Sequence, residues 1–368
     1  MDKIIRILKK DTVLVVSGLI ALATSFVIPP SLEYFSYIDF KVLAVLFSLM
    51  AVIAAIREMG VFEVVAGSLL KWTGSVRSMS LALVMLAFFS SMLITNDVAL
   101  ITFVPLAIEV LRRAGKGNLI FVVTMQTIAA NLGSMLTPIG NPQNLYLYSR
   151  FGVSAVEFFS ISIPLVIVSF ILVTGLTLTS GNDTVSFELT NMRILEDKRR
   201  IAFYIILFIV CLLSVFGFVD HIVMLAAVTA GIALTSGGVL KKVDYALLLT
   251  FVFFFIIVGN VGRMGAVVES LGSLIRGREL FSSVVLSQVI SNVPAAIMLS
   301  SFTENYRMLI AGTNIGGLGT LVASLASLIS YKLYSRSEGA KPFAYLKKFS
   351  LLNAAALSIL SIFAVFWF

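Results

Sequence analysis

Long apolar runs follow one another along almost the whole chain, and the places where polar residues interrupt them set its organisation. Residues 13–28 and 41–56 are plain runs close to the ~20 residues a helix needs to cross a bilayer, and each predicts a spanning helix. Residues 59–72 (MGVFEVVAGSLLKW) space their charges along the segment and predict an amphipathic helix at the membrane surface. Residues 79–94 and 98–111 are each short for a crossing and are joined by the polar triplet Thr95-Asn96-Asp97. Basic residues flank both outer ends, Arg77 before and Arg112, Arg113 and Lys116 after. A hairpin over 79–111 that enters and leaves on the cytoplasmic side, with the triplet at its tip, accounts for all three features. The run from 118 leads into TPIGNPQN (137–144), where Pro138, Gly140 and Pro142 cannot continue a regular helix, so a broken span is predicted over 118–151. A span at 157–178 then precedes the one longer polar segment, which ends in Lys198-Arg199-Arg200.

From residue 201 the pattern begins again. After a connecting helix at 201–217, residues 264–277 (MGAVVESLGSLIRG) match 59–72 at a shift of 264 − 59 = 205: Met59/Met264, Gly60/Gly265, Gly67/Gly272, Ser68/Ser273 and Leu69/Leu274. Ser291-Asn292 stands in place of Thr95-Asn96 in a second hairpin, 280–300. N-I-G-G-L-G-T (314–320) stands in place of N-L-G-S-M-L-T (131–137) in a second broken span, 306–334, and 349–367 is the last span. Each repeat reads span, span, hairpin, broken span, span, and the added helix makes the second start from the opposite side. The predicted fold class is therefore an all-α polytopic membrane protein of two inverted five-element repeats, 1–178 and 218–368, joined by a cytoplasmic linker and connecting helix, 179–217.

Composition agrees. With 59% hydrophobic and 12% charged residues and a mean hydropathy of +1.04, a water-soluble globule is excluded. The net charge of +8 suggests no nucleic-acid partner, because the basic residues collect at the ends of apolar runs as cytoplasmic flanks do. Lys241-Lys242, and then Arg336, Lys341, Lys347 and Lys348, fall inside on this topology. It predicts a cell (inner) membrane protein with a cytoplasmic N-terminus and Phe368 outside. Lys3, Arg6, Lys9 and Lys10 precede the first run, but Pro29-Pro30 and Glu33 follow it instead of a cleavage site, which predicts a retained helix. Cys211 is the single cysteine, so an intrachain disulfide and a cysteine metal site are excluded and a buried small hydrophobe is expected. His221 reads as a surface residue. Arg263 lies in a Gly-rich stretch (259–265) that lacks a preceding strand and a P-loop Lys-Ser/Thr, and AGKGN (114–118) lacks Walker spacing, so neither reads as a phosphate loop.

The chemistry concentrates at the interruptions. An Asp at the centre of a spanning helix costs roughly 2.5–3.5 kcal/mol on insertion scales, so Asp97 reads first as functional, with capping of the following half-helix as the bland alternative. Gathered at the breaks are Thr95, Asn96, Asp97, Asn131, Thr137, Asn141, Asn144, Ser291, Asn292, Thr313, Asn314 and Thr320, all oxygen-bearing and suited to hard cations and oxyanions. Helix ends at mid-membrane favour anions at N-termini and cations at C-termini. The prediction is a secondary transporter of a small ion. An intramembrane enzyme would need a Ser/His, Asp/Asp or His/Glu constellation; with one His and no second acid near a hairpin tip, no enzyme and no cofactor are expected.

TND before an apolar run, N-x-G-x-x-x-T-P-I-G-N-P-x-N, S-N-V-P, and N-I-G-G-x-G-T-L-x-x-S-L-A, in this order, resemble the ion transporter superfamily over nearly the whole chain. That group includes arsenite efflux permeases, D-type sodium/proton antiporters, citrate transporters and divalent anion:sodium symporters. In the symporter branch both tips carry Ser-Asn-Thr beside two sodium sites. The resemblance implies one Na⁺ site at Asn96 and Asn131 and another at Asn292 and Asn314. Here Asp97 and Val293 replace the threonines, and the Thr-Asn-Asp and Ser-Asn-Val-Pro forms look closer to the arsenite and antiporter branch. The resemblance also implies a homodimer in which one domain slides past a fixed scaffold. The leading expectation is transport of a small carboxylate or oxyanion coupled to Na⁺ or H⁺, with Asp97 in the coupling step. A cation/proton antiporter or arsenite-type efflux permease is the alternative; a channel is a remote one.

Overall fold

The computed structural model describes residues 12–113, 119–181, 183–184 and 197–368. The early basic residues Lys3 to Lys10, the loop 114–118 with Lys116, and linker residues 185–196 lie outside them. Helices α1 (Thr12–Val27), α2 (Tyr34–Tyr37) and α3 (Phe40–Glu58) come first, then α4 (Val61–Leu70), α5 (Val76–Ile94), α6 (Asn96–Arg113), α7 (Leu119–Gly133), α8 (Pro142–Arg150) and α9 (Ala155–Thr177). The second half holds α10 (Lys198–Val215), α11 (His221–Ser236), α12 (Tyr245–Gly262), α13 (Gly265–Ile275), α14 (Glu279–Ile290), α15 (Asn292–Leu299), α16 (Tyr306–Gly316), α17 (Leu325–Ser335) and α18 (Pro342–Trp367). Among the described residues seven helical stretches are long and apolar enough to cross a membrane: 40–58, 76–94, 119–136, 155–177, 221–242, 245–262 and 342–367. The predicted span 13–28 and connecting helix 201–217 form helices too, as α1 and α10.

Caps set the boundaries. α5 starts at Val76, ahead of the expected 79, because Ser75 and Ser78 form a capping box; α9 starts at Ala155 through the equivalent box of Ser154 and Glu157. Asp39, Asp197, Asp220 and Asp244 accept from first-turn N–H groups of α3, α10, α11 and α12. α18 begins at Pro342, earlier than the expected 349, with Pro at the first helical position and Tyr345 and Phe349 fully buried in its first turns.

The chain divides into two compact units. The first contains α1–α3 and α10–α13. Within it α12 packs on α1, and α10 and α11 pack on α3. Asn260 donates to Thr24 Oγ1 at 3.2 Å and Tyr34 Oη at 2.9 Å, while Arg263 pairs with Glu33 and donates to Tyr37 Oη at 3.3 Å. Arg263 therefore straps the 28–39 connection onto α12, and Cys211 is fully buried as expected.

The second unit contains α4–α9, α14, α15 up to Ala296, and α16–α18. α7 is its central helix, buried from Phe121 to Gly133 and packed on α5, α6, α9, α17 and α18. α5 crosses α7 at Gly133, where a Cβ would stand 2.0 Å from the Phe88 carbonyl oxygen and 2.6 Å from Ser91 Oγ. α14 crosses α16 in the same way at Gly316, where a Cβ would stand 2.6 Å from Ser287 Oγ. Small residues at such crossings let backbones approach where apolar solvent supplies no drive for association.

Candidate functional site

Helices α5 and α6 are joined by Thr95 alone, and α14 and α15 by Ser291 alone. These two are the non-glycine residues with positive φ among the described residues, at 62° and 77°. A left-handed residue reverses the chain within one position, and a β-branched one there costs conformational energy that the surroundings must hold. The surroundings do so with backbone bonds. The Asn96 N–H donates to Gly140 O at 3.1 Å and the Asn292 N–H to Ala323 O at 3.0 Å. Each acceptor lies in the break that follows.

Those breaks are residues 137–141, between α7 with its terminal 3₁₀ turn (Ser134–Leu136) and α8, and 317–324, between α16 and α17. They are built alike at a shift of 314 − 131 = 183 residues. Thr137 donates to Met92 O, and Thr320 donates to Gln288 O at 3.1 Å. Asn141 caps α8 by accepting from Asn144 N at 3.0 Å, and Ser324 caps α17 by accepting from Ala326 N at 3.2 Å. Both resumed helices thus present a capped N-terminus, which carries roughly +0.5 of an elementary charge.

Side chains then cross between the breaks. Asn131 Oδ1 accepts from Asn96 Nδ2 at 2.9 Å and from Ser324 Oγ at 3.0 Å; its Nδ2 donates to Ser327 Oγ and Gly317 O, both at 3.4 Å. Asn314 Oδ1 accepts from Asn141 Nδ2 at 3.0 Å, and its Nδ2 donates to Asn144 Oδ1 at 2.6 Å. Ser134 closes the circuit, donating to Asn131 O at 2.9 Å and accepting from Asn141 Nδ2 at 3.2 Å. Asn96, Asn131, Asn141, Asn144 and Asn314 are all buried, so this network replaces water for every group in it.

The remaining expected residues sit as follows. Asn292 is buried at its tip, bonded to Ser291 Oγ at 3.4 Å, and makes no side-chain bond to Asn314. Ser291 Oγ also reaches Ala323 O at 3.3 Å. Asp97 is half-buried in the first turn of α6, where its N–H donates to Asn96 Oδ1 at 2.9 Å. Thr313 donates to Leu309 O of its own helix at 2.7 Å and takes no part in the network. Ser324 and Ser327, absent from the sequence-based set, are central. The signal for them was present: the 183-residue shift carries Asn141 onto Ser324 and Asn144 onto Ser327. A further buried polar contact between α7 and α17, Thr127 to Ser330 at 2.6 Å and on to Tyr345 at 3.3 Å, was not anticipated either.

A chain whose described residues form helices, seven of them of membrane length and apolar, with two helix breaks joined by buried asparagines, is a multi-pass membrane protein, and its relatives make it a membrane transporter. The chain belongs to the citrate transporter family, whose model matches residues 4–306. It is 34% identical over 321 residues to an uncharacterized transporter of Methanocaldococcus jannaschii, with 86% of each chain covered. It is 30% identical over 333 residues to the inner membrane protein YbiR of Escherichia coli, with 89% of each covered. A silicon efflux transporter of Oryza sativa subsp. japonica is 29% identical over 127 residues, 34% of this chain and 26% of that protein. The family indicated by the sequence motifs is the one found.

Proposed function

We propose that this protein is a secondary active transporter that moves a small carboxylate or oxyanion across the cell membrane by alternating access, driven by a Na⁺ or H⁺ gradient. The observation that carries the reading is the meeting of two capped half-helix N-termini, at Asn141 and Ser324, in one buried asparagine network. Two partial positive charges and several carboxamides suit an anion that sheds its hydration shell on entry. Asn96, Asn131, Asn292 and Asn314 are the side chains assigned to ligand or coupling-ion contact, with Thr95, Asp97, Thr137, Asn141, Asn144, Ser291, Thr313 and Thr320 around them. In this reading the two five-element repeats are inverted, both hairpins re-enter the membrane, the N-terminus is cytoplasmic and the C-terminus outside. The second unit is the moving body of an elevator within a homodimer.

A second reading has one observation in its favour. Asp97 lies half-buried beside the network and would repel an anion unless protonated or cation-bound, whereas it would admit a cation or a neutral oxyacid. A cation/proton antiporter or arsenite-type efflux permease is therefore the alternative, and the silicon efflux relative points the same way.

The test is uptake into proteoliposomes of citrate and inorganic oxyanions, with silicic acid and arsenite alongside, under imposed Na⁺ and pH gradients. Gradient-driven accumulation of an anion supports the main reading. Movement of the neutral species alone, or of Na⁺ against H⁺, moves the assignment to the alternative.

A further inference from the structure

A helix that stops inside a protein leaves its last carbonyl oxygens without partners. At the second break one of those oxygens, one carbonyl of the break itself and one from the neighbouring α14 surround a single atom. Gln288 Nε2, reaching over from α14, lies 3.0 Å from Gly316 O, 3.0 Å from Leu318 O and 3.1 Å from Val284 O. Its orientation is fixed independently, because Gln288 Oε1 accepts the Thr320 N–H at 2.9 Å and a carbonyl oxygen alone can accept there. The backbone makes room for it: Gly319 has φ +100°, and a Cβ at that position would stand 2.2 Å from Gln288 Oε1.

At the first break the arrangement is reached by another route. Met92 and Leu136 occupy the positions that Gln288 and Gly319 hold in the second repeat, so no carboxamide arrives from α5. Asn144 supplies one from α8: its Nδ2 faces Thr137 O at 3.3 Å, Met135 O at 3.4 Å and Ser134 O at 3.5 Å, with Oδ1 held by Asn314. The two repeats share a need and differ in the residue that meets it.

A ring of carbonyl oxygens around one point is the ligand set of a hard monovalent or divalent cation. We propose that the carboxamide nitrogens of Gln288 and Asn144 are tethered stand-ins for such a cation, so that the breaks of this chain are complete without Na⁺. A neutral amide shares its two N–H groups among the three carbonyls around it and adds no net charge, which leaves the half-helix N-termini uncompensated for an incoming anion. The inference rests on the transporter reading only for that last consequence, and of the two driving ions named there it selects H⁺. Its test reads cation binding directly, so failure of transport and failure of this assignment are separate outcomes.

The full chain is purified in detergent and its thermal unfolding midpoint followed while NaCl replaces choline chloride at constant ionic strength. Wild type is expected to show no Na⁺-specific shift. Gln288→Glu places a carboxylate oxygen where Nε2 stood, turning the ring into an oxygen cage, and is expected to gain a saturable upward shift of several degrees with Na⁺. A saturable Na⁺-dependent rise in wild type overturns the proposal, as does Gln288→Glu folding equally well in both salts. If Gln288→Glu yields no folded protein in either salt, Gln288→Ala decides: a Na⁺-dependent rise supports the assignment and its absence overturns it. Should neither variant fold, the wild-type titration alone decides in the sense already given.

Discussion

Asn131 and Asn314 hold equivalent places at the ends of α7 and α16, and each bonds the capping residue of the other's resumed helix at 3.0 Å, Asn131 to Ser324 and Asn314 to Asn141. Asn314→Ala takes away the Asn144 Oδ1 donor and leaves Asn141 Nδ2 with Ser134 Oγ alone. Each buried group left unpaired costs about 1–3 kcal/mol, so a clear fall in thermal midpoint and loss of transport are expected. Thr313→Val, one residue away, deletes only an intrahelical bond to Leu309 O and should lie within about 1 kcal/mol of wild type with transport retained. Equal effects of the two changes in a thermal-shift and uptake comparison would remove the network from the site.

The crossing of α5 and α7 gives a sharper stability test. Gly133→Ala drives a methyl to within 2.0 Å of a backbone oxygen that has no rotamer to escape through, so the loss should exceed the ~1–3 kcal/mol typical of overpacking. Gly175→Ala, in α9, meets nothing within 4 Å and serves as the control. The measurement is yield of monodisperse protein and its unfolding midpoint, with Gly133→Ala failing and Gly175→Ala behaving as wild type.

Asp97 tests the coupling step. If its charge follows the opening of the site, Asp97→Asn should keep the fold and some substrate binding but lose gradient-driven accumulation in proteoliposomes. A residue that merely caps α6 would tolerate Asn, itself a good cap. Wild-type accumulation with unchanged pH and cation dependence would return Asp97 to a structural role.

Topology is checked with single cysteines in a Cys211→Ala background, since the native thiol is buried. Arg113→Cys, at the end of α6, and Thr303→Cys, beyond α15, should react with an impermeant maleimide from opposite faces of the membrane. Labelling of both from one face contradicts the inverted arrangement.

Much of this was visible in the residues. Pro138, Gly140 and Pro142 announce the first break because two prolines and a glycine within five residues disfavour continuing α7, with Pro142 suited to open the next helix, and α4 and α13 end at Leu70 and Ile275, positions that the 205-residue shift puts in register. Asparagine inside an apolar run is conspicuous because it carries two polar groups that lipid cannot satisfy. The serines were missed for the opposite reason: a hydroxyl can bond its own helix, as Thr313 does, so Ser324 and Ser327 differ from idle serines only through what faces them. Gln288 belongs with them. Its importance depends on Gly319 leaving room thirty-odd residues later, a steric fact that no local pattern carries.

The two backbone bonds at the tips, Asn96 to Gly140 and Asn292 to Ala323, have a kinetic consequence. The first N–H groups of a helix have no partner inside it and are ordinarily among the first to take up deuterium. Here each is closed by a buried carbonyl from the break that follows, so these two amides should exchange as slowly as those in the middle of α7. A tip that swung aside to admit its cargo would expose them with every excursion. Slow exchange at both would mean that each tip and its break open together or not at all, leaving admission to displacement of the second unit as a whole.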